Sequence, residues 1–435
     1  MRLSSVVSLF LLLVGRAGAA ASGDPAAVSP SGIPDAEYHA RRASLCRLLD
    51  STSAAVFRAA EQKWRNGDVN FPYRQESNYL YLTGENSPSG ALILIPGGIT
   101  LQQMHGRIVH VRGPGGKDSL AGDEIFVGAT RFREALDSVA ARVRTLYVSA
   151  PDLHFVNDWL NDKPMFIERD ARREFEKTHP GVKTKAVTGL MGRLREIKSA
   201  AELTLMRRAI LLTGEGIRQA LKKCRPGRYE YELQATLECT MRQGGAEAVA
   251  FPSIIGSGPN SLIPHYEANE RQMQKGDVVV MDVGAEFHGY AADITRTIPV
   301  SGRFTGEQRT LYNIVRTAHD EVIKLIKPGI PASTLEQKAR QVITDAGYAK
   351  FILHGISHPV GLDVHDAGAS DTLKAGMVIT VEPGIYIPEA ADSLPKPYRG
   401  VGIRIEDDVL VTDTGSEVLS ASIPTDPAMI EKLMR

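Results

Sequence analysis

The chain has 435 residues, enough for two or three domains that each bury a core of their own. Its 51 basic side chains balance 51 acidic ones and nothing clusters into a basic face, which argues against nucleic acid as a main partner. Aromatics make up only 6% while Gly (40) and Pro (24) are plentiful, a composition expected of a loop-rich α/β enzyme and not of a coiled coil or a disordered scaffold.

The chain begins with Arg2, an apolar run from Val6 to Val14, and the small residues Ala17-Gly18-Ala19. This pattern predicts a cleaved signal peptide within residues 1–21, the alternative being an uncleaved anchor. The run is too short to span a bilayer, which needs about 20 apolar residues, so a soluble exported protein is expected, periplasmic or secreted and off the membrane after cleavage. Three cysteines, Cys46, Cys224 and Cys239, are an odd count at spacings that fit neither a disulfide framework nor a zinc site, although a Cys224–Cys239 bridge stays open.

After a Pro/Ser/Gly/Ala linker, residues 30–185 predict a small α/β domain. Its expected elements are a helix from Ala36 to Leu49 leading into the apolar run Ala54–Phe57, strands at Ala91–Pro96, Gly106–Arg112 and Thr145–Ser149, and a helix from Phe132 to Val143. The polar and aromatic stretch Phe71 to Gly84 reads as a surface loop leading into a strand. Arg112-Gly-Pro-Gly-Gly-Lys117-Asp118 resembles a phosphate loop only superficially, because Asp118 stands where Ser or Thr is needed, so a plain turn is expected. From residue 190 to 435 the pattern changes to amphipathic helices. The capping box Ser199-Ala-Ala-Glu202 opens a helix that Pro226-Gly227 stops, and a second helix runs from Tyr229 to Met241. The order then repeats: a helix from Glu307 to Lys327, a stop at Pro328-Gly329, and a helix opened by a capping box at Ser333-Thr-Leu-Glu336.

Each helix pair is followed by a strand that ends in a carboxylate. Lys275-Gly276-Asp-Val-Val-Val-Met-Asp282 and Lys374-Ala-Gly376-Met-Val-Ile-Thr-Val-Glu382 follow one plan, and Gly276, Asp282 and His265 each recur 100 residues on as Gly376, Glu382 and His365. The chain is therefore an α/β (α+β) protein whose second domain holds two pseudo-symmetric αα-plus-antiparallel-hairpin halves, too few copies for a solenoid. With a turn at His288-Gly289, pairing the first hairpin about its midpoint sets Asp282 opposite Asp293, with Cβ atoms roughly 5 Å apart. Two carboxylates that close suit a pair of divalent ions about 3.5–4 Å apart, or else they flank a solvated hairpin with one of them paired to Arg296. In the second half Glu406 takes the place of Asp293. Three of the eleven histidines, His354, His358 and His365, fall within a dozen residues that Pro359 and Gly361 hold in a loop. Four carboxylates and one histidine make an oxygen-rich donor set suited to Mn²⁺, or to Co²⁺ and Fe²⁺, more than to structural zinc. Neither the zincin pattern nor a Gly-x-Ser-x-Gly elbow is present.

These blocks resemble the pita-bread metallopeptidases, the group of methionine aminopeptidase, prolidase, aminopeptidase P and the metal-free creatinases. Within the group, His354-Gly-Ile-Ser-His358, Gly-Leu-Asp-Val-His365-Asp, Val-Glu382-Pro-Gly-Ile-Tyr386 and Gly-Ile-Arg404-Ile-Glu406-Asp-Asp are most similar to bacterial aminopeptidase P. Phe-Pro-Tyr-Arg-Gln at residues 71–75 resembles the creatinase-like N-terminal domain of that subfamily. The resemblance implies two divalent ions, Mn²⁺ first with Co²⁺, Fe²⁺ or Zn²⁺ as alternatives, held by Asp282, Asp293, His358, Glu382 and Glu406. It implies catalytic roles for His265, His365, Glu382 and Arg404, and substrate-binding roles for His354 and Tyr386. The implied reaction removes the first residue from peptides with proline second, a water shared by the ions attacking the scissile carbonyl. Proline-containing peptides are the expected partners, and a homo-oligomer the expected assembly. Prolidase is the nearest rival and an exported binding protein on the same fold a distant one. Pro359, where many relatives carry a bulkier residue, and the export signal depart from the subfamily pattern.

Overall fold

A computed structural model describes residues 32–88, 90–96, 132–149 and 172–435 with their side chains, and the backbone of several short segments between residues 97 and 171. The leader and the glycine-rich run 113–118 lie outside the described residues. Among the described residues no helix is long and apolar enough to cross a membrane.

The N-terminal unit is built on a seven-stranded mixed sheet. Its strand order is Lys183–Ala186, Thr145–Val148, Ser53–Arg58, Ala91–Leu94, Ile108–Arg112, Glu124–Gly128, Ser119–Ala121. The central strand runs parallel to Thr145–Val148 and antiparallel to Ala91–Leu94. Both central runs are apolar without alternation because both faces are covered. Ala55 and Phe57 pack with Tyr38 and Leu45 of the helix Asp35–Leu48, while Ala54 and Val56 pack with Val139 and Ala140 of the helix Phe132–Ala140. The stretch expected to run from a loop into a strand is instead a short helix, Ser77–Thr83. Glu76 caps it by accepting from the Tyr79 N–H, and Gly84 ends it at φ 68°, two local signals that outweigh the β-forming aromatics between them.

The C-terminal unit shows the expected duplication. The helix pair Ala200–Lys223 and Glu230–Gln243 backs the antiparallel strands Ile254–Ser257, Val278–Val283 and Ile294–Pro299. The pair Gly306–Leu325 and Ala332–Asp345 backs Val378–Val381 with Asp407–Val411, and Gly384–Ile387 with Val401–Arg404. Ser199 and Glu202 form both bonds of the first capping box. The box expected at Ser333 does not form: the helix starts two residues earlier, with Pro331 as its N-cap, and Glu336 instead accepts from the Ile356 N–H at 2.9 Å. The turn glycines that lead into the carboxylate strands match, with φ 94° at Gly276 and 89° at Gly376, a region closed to most side chains. A shared core of strand and helix residues, Val279, Met281, Ile298, Leu311, Val381 and Ile403 among them, fills the space between, each fully buried side chain worth about 1.5–3 kcal/mol. Cys46, Cys224 and Cys239 are free thiols, so the Cys224–Cys239 bridge is not made.

The first hairpin departs from the midpoint pairing. Asp282 pairs with Thr295, not Asp293, and the same register continues through Phe287 opposite Tyr290 around the His288-Gly289 turn. Asp293 therefore lies two residues off, beside Gly284, where an added Cβ would meet the Ala292 carbonyl oxygen at 1.8 Å. A shift of two preserves the face, so both carboxylates still point to one side of the ladder. In the second hairpin, Gly384 opposite Arg404 and Val381 opposite Asp407 put Glu382 directly across from Glu406. The two halves are stitched by the Glu406 N–H donating to the Thr295 carbonyl at 3.1 Å and by Thr297 Oγ1 donating to the Arg404 carbonyl at 2.8 Å.

Candidate metal centre and substrate cleft

Asp282 is carried by a buried strand, Asp293, Glu382 and Glu406 by the short breaks directly beside strand ends, and His358 by the histidine loop. Val278–Val283 is buried along its whole length, so Asp282 is a charge set into an apolar ribbon. Asp282, Asp293 and Glu406 are at most 8% exposed. Ligand atoms of Asp293, His358 and Glu406 lie within 4.8 Å of one another, and His358 Nε2 is 3.4 Å from both Asp293 Oδ2 and Glu382 Oε1. The His358 Nδ1–H donates to the Pro359 carbonyl at 3.1 Å, which leaves Nε2 as the free lone pair facing the carboxylates. Thr295 donates to Glu406 Oε2 at 2.7 Å, and Thr380 stands 3.4 Å from Glu382 Oε1. Arg296, the alternative partner for Asp282 or Asp293, instead pairs with Asp407 at 2.6 Å.

The electrostatics are those of a negative cage. Burial, then the charges of Glu406 and Asp282, push the Asp293 carboxyl well above the usual range, and burial with Glu382 and Asp282 does the same to Glu406. Glu382 is pushed up to about 8 by burial, with Arg404 opposing and Asp282 reinforcing. Burial, helped by the neighbouring His365, pulls His358 down to about 4, so its imidazole is neutral and able to ligate. Asp282 Oδ1 is buried with no hydrogen-bond partner, while its Oδ2 accepts from Arg404 at 2.5 Å. An orphaned buried carboxylate oxygen among mutually repelling carboxyls fits a divalent cation with oxygen-rich coordination.

The centre opens into a cleft of about 800 Å³ lined by His265, Asp282, Asp293, His354, His358, His365, Glu382, Arg404 and Glu406. His365 stacks on His358 with ring centroids 3.9 Å apart. The His354 Nδ1–H donates to the Gly355 carbonyl at 2.7 Å, and its Nε2 accepts from the Tyr386 hydroxyl at 2.7 Å. The hydroxyl in turn accepts from Arg404 Nη1 at 2.8 Å. Tyr386 is thus brought to the site but stands behind it, 2% exposed and outside the cleft lining, so it supports His354 and Arg404 from the rear. Sequence reasoning missed Thr295 and Thr380, which lie two residues from Asp293 and Glu382, a strand spacing that shares a face. It also missed the apolar wall of Phe251, Ile263 and Leu353, whose loop positions carry no periodic signal.

The model of metallopeptidase family M24 matches residues 204–413, and that of the aminopeptidase P N-terminal domain matches residues 38–109. The chain is 33% identical to the Xaa-Pro aminopeptidase of Escherichia coli K12 over 441 residues, covering 93% of this chain and 98% of the relative. The chain belongs to the aminopeptidase P branch of metallopeptidase family M24. The solved structure of E. coli aminopeptidase P with the inhibitor Pro-Leu superposes with a TM-score of 0.78 at 32% identity, covering 92% of this chain and 98% of that one. A Xaa-Pro dipeptidase of Pyrococcus furiosus is 36% identical over 260 residues, but that match takes in only 59% of this chain and 69% of the dipeptidase. The pita-bread fold and the metallo-aminopeptidase class expected from the sequence both stand, and family membership implies divalent metal ions.

Proposed function

We propose that this enzyme is a Xaa-Pro aminopeptidase working with two divalent ions, Mn²⁺ preferred, held by Asp282, Asp293, His358, Glu382 and Glu406. The observation that carries the reading is the convergence of four carboxylates from two hairpins on one neutral imidazole, with Asp282 Oδ1 left without a partner. A divalent cation held there supplies Lewis acidity, lowering the pKa of water and polarising the scissile carbonyl.

The chain's own groups do the rest. Glu382, lining the cleft beside His358, takes a proton from the attacking water and passes it toward the departing proline nitrogen. His265 and His365 hydrogen-bond the substrate and the developing oxyanion. His354, held by Tyr386 and Gly355, walls the proline side, and Arg404 ties Asp282, Tyr386 and Thr295 together. A proline nitrogen in peptide linkage carries no N–H, so shape contacts with the ring and not a donor ladder select it.

Two comparisons separate this reading from prolidase. The dipeptidase likeness omits much of the chain, while the aminopeptidase likeness runs through the N-terminal unit as well. The deciding experiment restores Mn²⁺, Co²⁺, Fe²⁺ or Zn²⁺ in turn to stripped enzyme and assays a Xaa-Pro-Yaa tripeptide beside the Xaa-Pro dipeptide. Release of the first residue from the tripeptide, best with Mn²⁺ at two ions per chain, is expected. Cleavage of the dipeptide alone would replace the reading by prolidase, and no bound ion with no cleavage by a binding protein. Export is proposed on the leader pattern of Arg2, Val6–Val14 and Ala17-Gly18-Ala19, to be checked by N-terminal sequencing of secreted product. Self-association is proposed with it, to be checked by light scattering.

A further inference from the structure

We propose that Arg195 and Lys198 are positioning residues for His365, and that they extend the working site into the N-terminal unit. His365 is presented on a tight turn: the Gly361 N–H donates to the Asp363 carbonyl at 3.0 Å and the Asp366 N–H to the Pro359 carbonyl at 2.9 Å. Among the described residues His365 makes no hydrogen bond of its own and is held by stacking on His358. Its place therefore depends on the turn, and two acids that flank it, Asp363 and Asp366, are where the turn is tied down. The Arg195 guanidinium, 3% exposed, bonds Asp366 Oδ1, Asp363 Oδ2 at 2.7 Å and Asn78 Oδ1 at 2.8 Å. Lys198 Nζ donates to Asp366 Oδ2 at 3.0 Å, so two buried cations face two carboxylates.

The N-terminal unit completes the grip. Ser77 donates to Asp363 Oδ1 at 2.6 Å, and Arg74 donates to the Leu362 carbonyl at 2.5 Å while pairing with Glu286 at 2.7 Å. Asp366 packs so closely against the turn that a Cβ at Gly361 would lie 2.2 Å from its Oδ2. An Arg fork that spans two carboxylates and an amide is not replaced by the point charge of Lys. The turn is thereby anchored from three separate stretches of chain, residues 74–78, 195–198 and 286, none of which lines the metal cleft.

This inference rests on the proposed contact between His365 and substrate, and a double-mutant cycle separates the two. Arg195→Lys is expected to lower kcat/KM for a Xaa-Pro-Yaa tripeptide about tenfold at full metal content, and less than twofold when His365 is already Ala. Asp363→Asn, at a 40% exposed side chain that can be changed without opening a core, is expected to show a smaller loss that also vanishes in the His365→Ala background. This second cycle decides the matter if Arg195→Lys does not fold. Losses that multiply in either background, or a loss of bound metal in Arg195→Lys, would overturn the positioning role. A His365→Ala enzyme with unchanged kcat/KM would overturn the reading of His365 itself.

Discussion

The acidic cage makes the metal-free enzyme less stable as the pH rises, and the size of the effect can be worked out. Glu382 keeps its proton to about pH 8 in the folded metal-free state but loses it near its ordinary value of 4.5 when unfolded. Between those limits the folded state binds more protons, so stability falls with increasing pH. His354 and His358 act in the opposite sense, because burial depresses their folded pKa below 6.5 and stability rises until both states are neutral. From pH 6.5 upward those histidines and His365, likewise lowered by burial, still oppose the carboxyls by about 0.4 kcal/mol each, an effect largely spent by about pH 7.5, beyond which the raised carboxyls set the slope at the cleft. Each carboxyl still protonated contributes about 1.4 kcal/mol per pH unit, or about 2 kcal/mol over the window for Glu382. Asp293 and Glu406, raised well above the usual carboxylate range by burial and by neighbouring carboxylates, add a slope of the same sign. His319, buried yet raised by its bonds to Asp320 and Asp407, adds a slope of the same sign that a cation at the cleft leaves in place. At about 1 °C per kcal/mol for a chain of 435 residues, Glu382 alone lowers the unfolding midpoint by about 2 °C across the window. Calorimetric scans of chelator-treated enzyme from pH 6.5 to 8, with and without saturating Mn²⁺, measure this directly. The slope is expected to flatten sharply when the ion replaces the protons. A midpoint that is level without metal, or that falls equally with and without it, would refute the electrostatic reading of the cage.

Three further outcomes are expected. Glu382→Gln, measured at full metal occupancy, lowers kcat by about 10²–10⁴-fold if the carboxylate moves the proton, and near-normal turnover would remove it from that role. Gly284→Ala drives a methyl into the Ala292 carbonyl next to Asp293, so it should cost about 3 kcal/mol in denaturant melts and weaken metal retention in equilibrium dialysis. Reducing agent should leave the unfolding midpoint unchanged, since Cys46, Cys224 and Cys239 are unpaired, and a drop on reduction would contradict the free thiols.

What the sequence disclosed about this enzyme follows from where a residue type is costly. Asp282 and Glu382 end runs of β-branched residues, and a charge at the end of a buried ribbon needs a partner, so the ligand strands stood out. The Pro-Gly stops and the 100-residue offset exposed the duplication for a related reason: few residues adopt φ near 90°, so turn positions recur when a unit is copied. The hairpin register was misjudged by two residues, because pairing Asp282 with Asp293 centres the hairpin on residues 287–288, whereas the two-residue turn His288-Gly289 sets Phe287 against Tyr290 and so Asp282 against Thr295. The short helix at Ser77–Thr83 was hidden by its aromatics, whose β preference is a matter of packing context.

The parts that could not be read are those made by meeting of distant segments. Tyr386 bridges His354 and Arg404 across 32 and 18 residues, and Arg195 reaches Asn78 on one side and Asp363 on the other across 117 and 168. No period or spacing encodes such contacts, since each participant taken alone is an ordinary polar residue. They are nevertheless the contacts that hold the cleft's imidazoles, because a neutral histidine on a loop brings little orienting energy of its own. A chain that places its carboxylate ligands on or directly beside buried strands and its substrate histidines on tethered loops separates two demands. The ligands must resist mutual repulsion, which the strands' hydrogen bonds and apolar packing supply, whereas the histidines need only be aimed, which a few buried ion pairs can do. Damage to the first group should show in metal content, and damage to the second in turnover at full metal, so the two kinds of residue are separable by experiment even where they share one cleft.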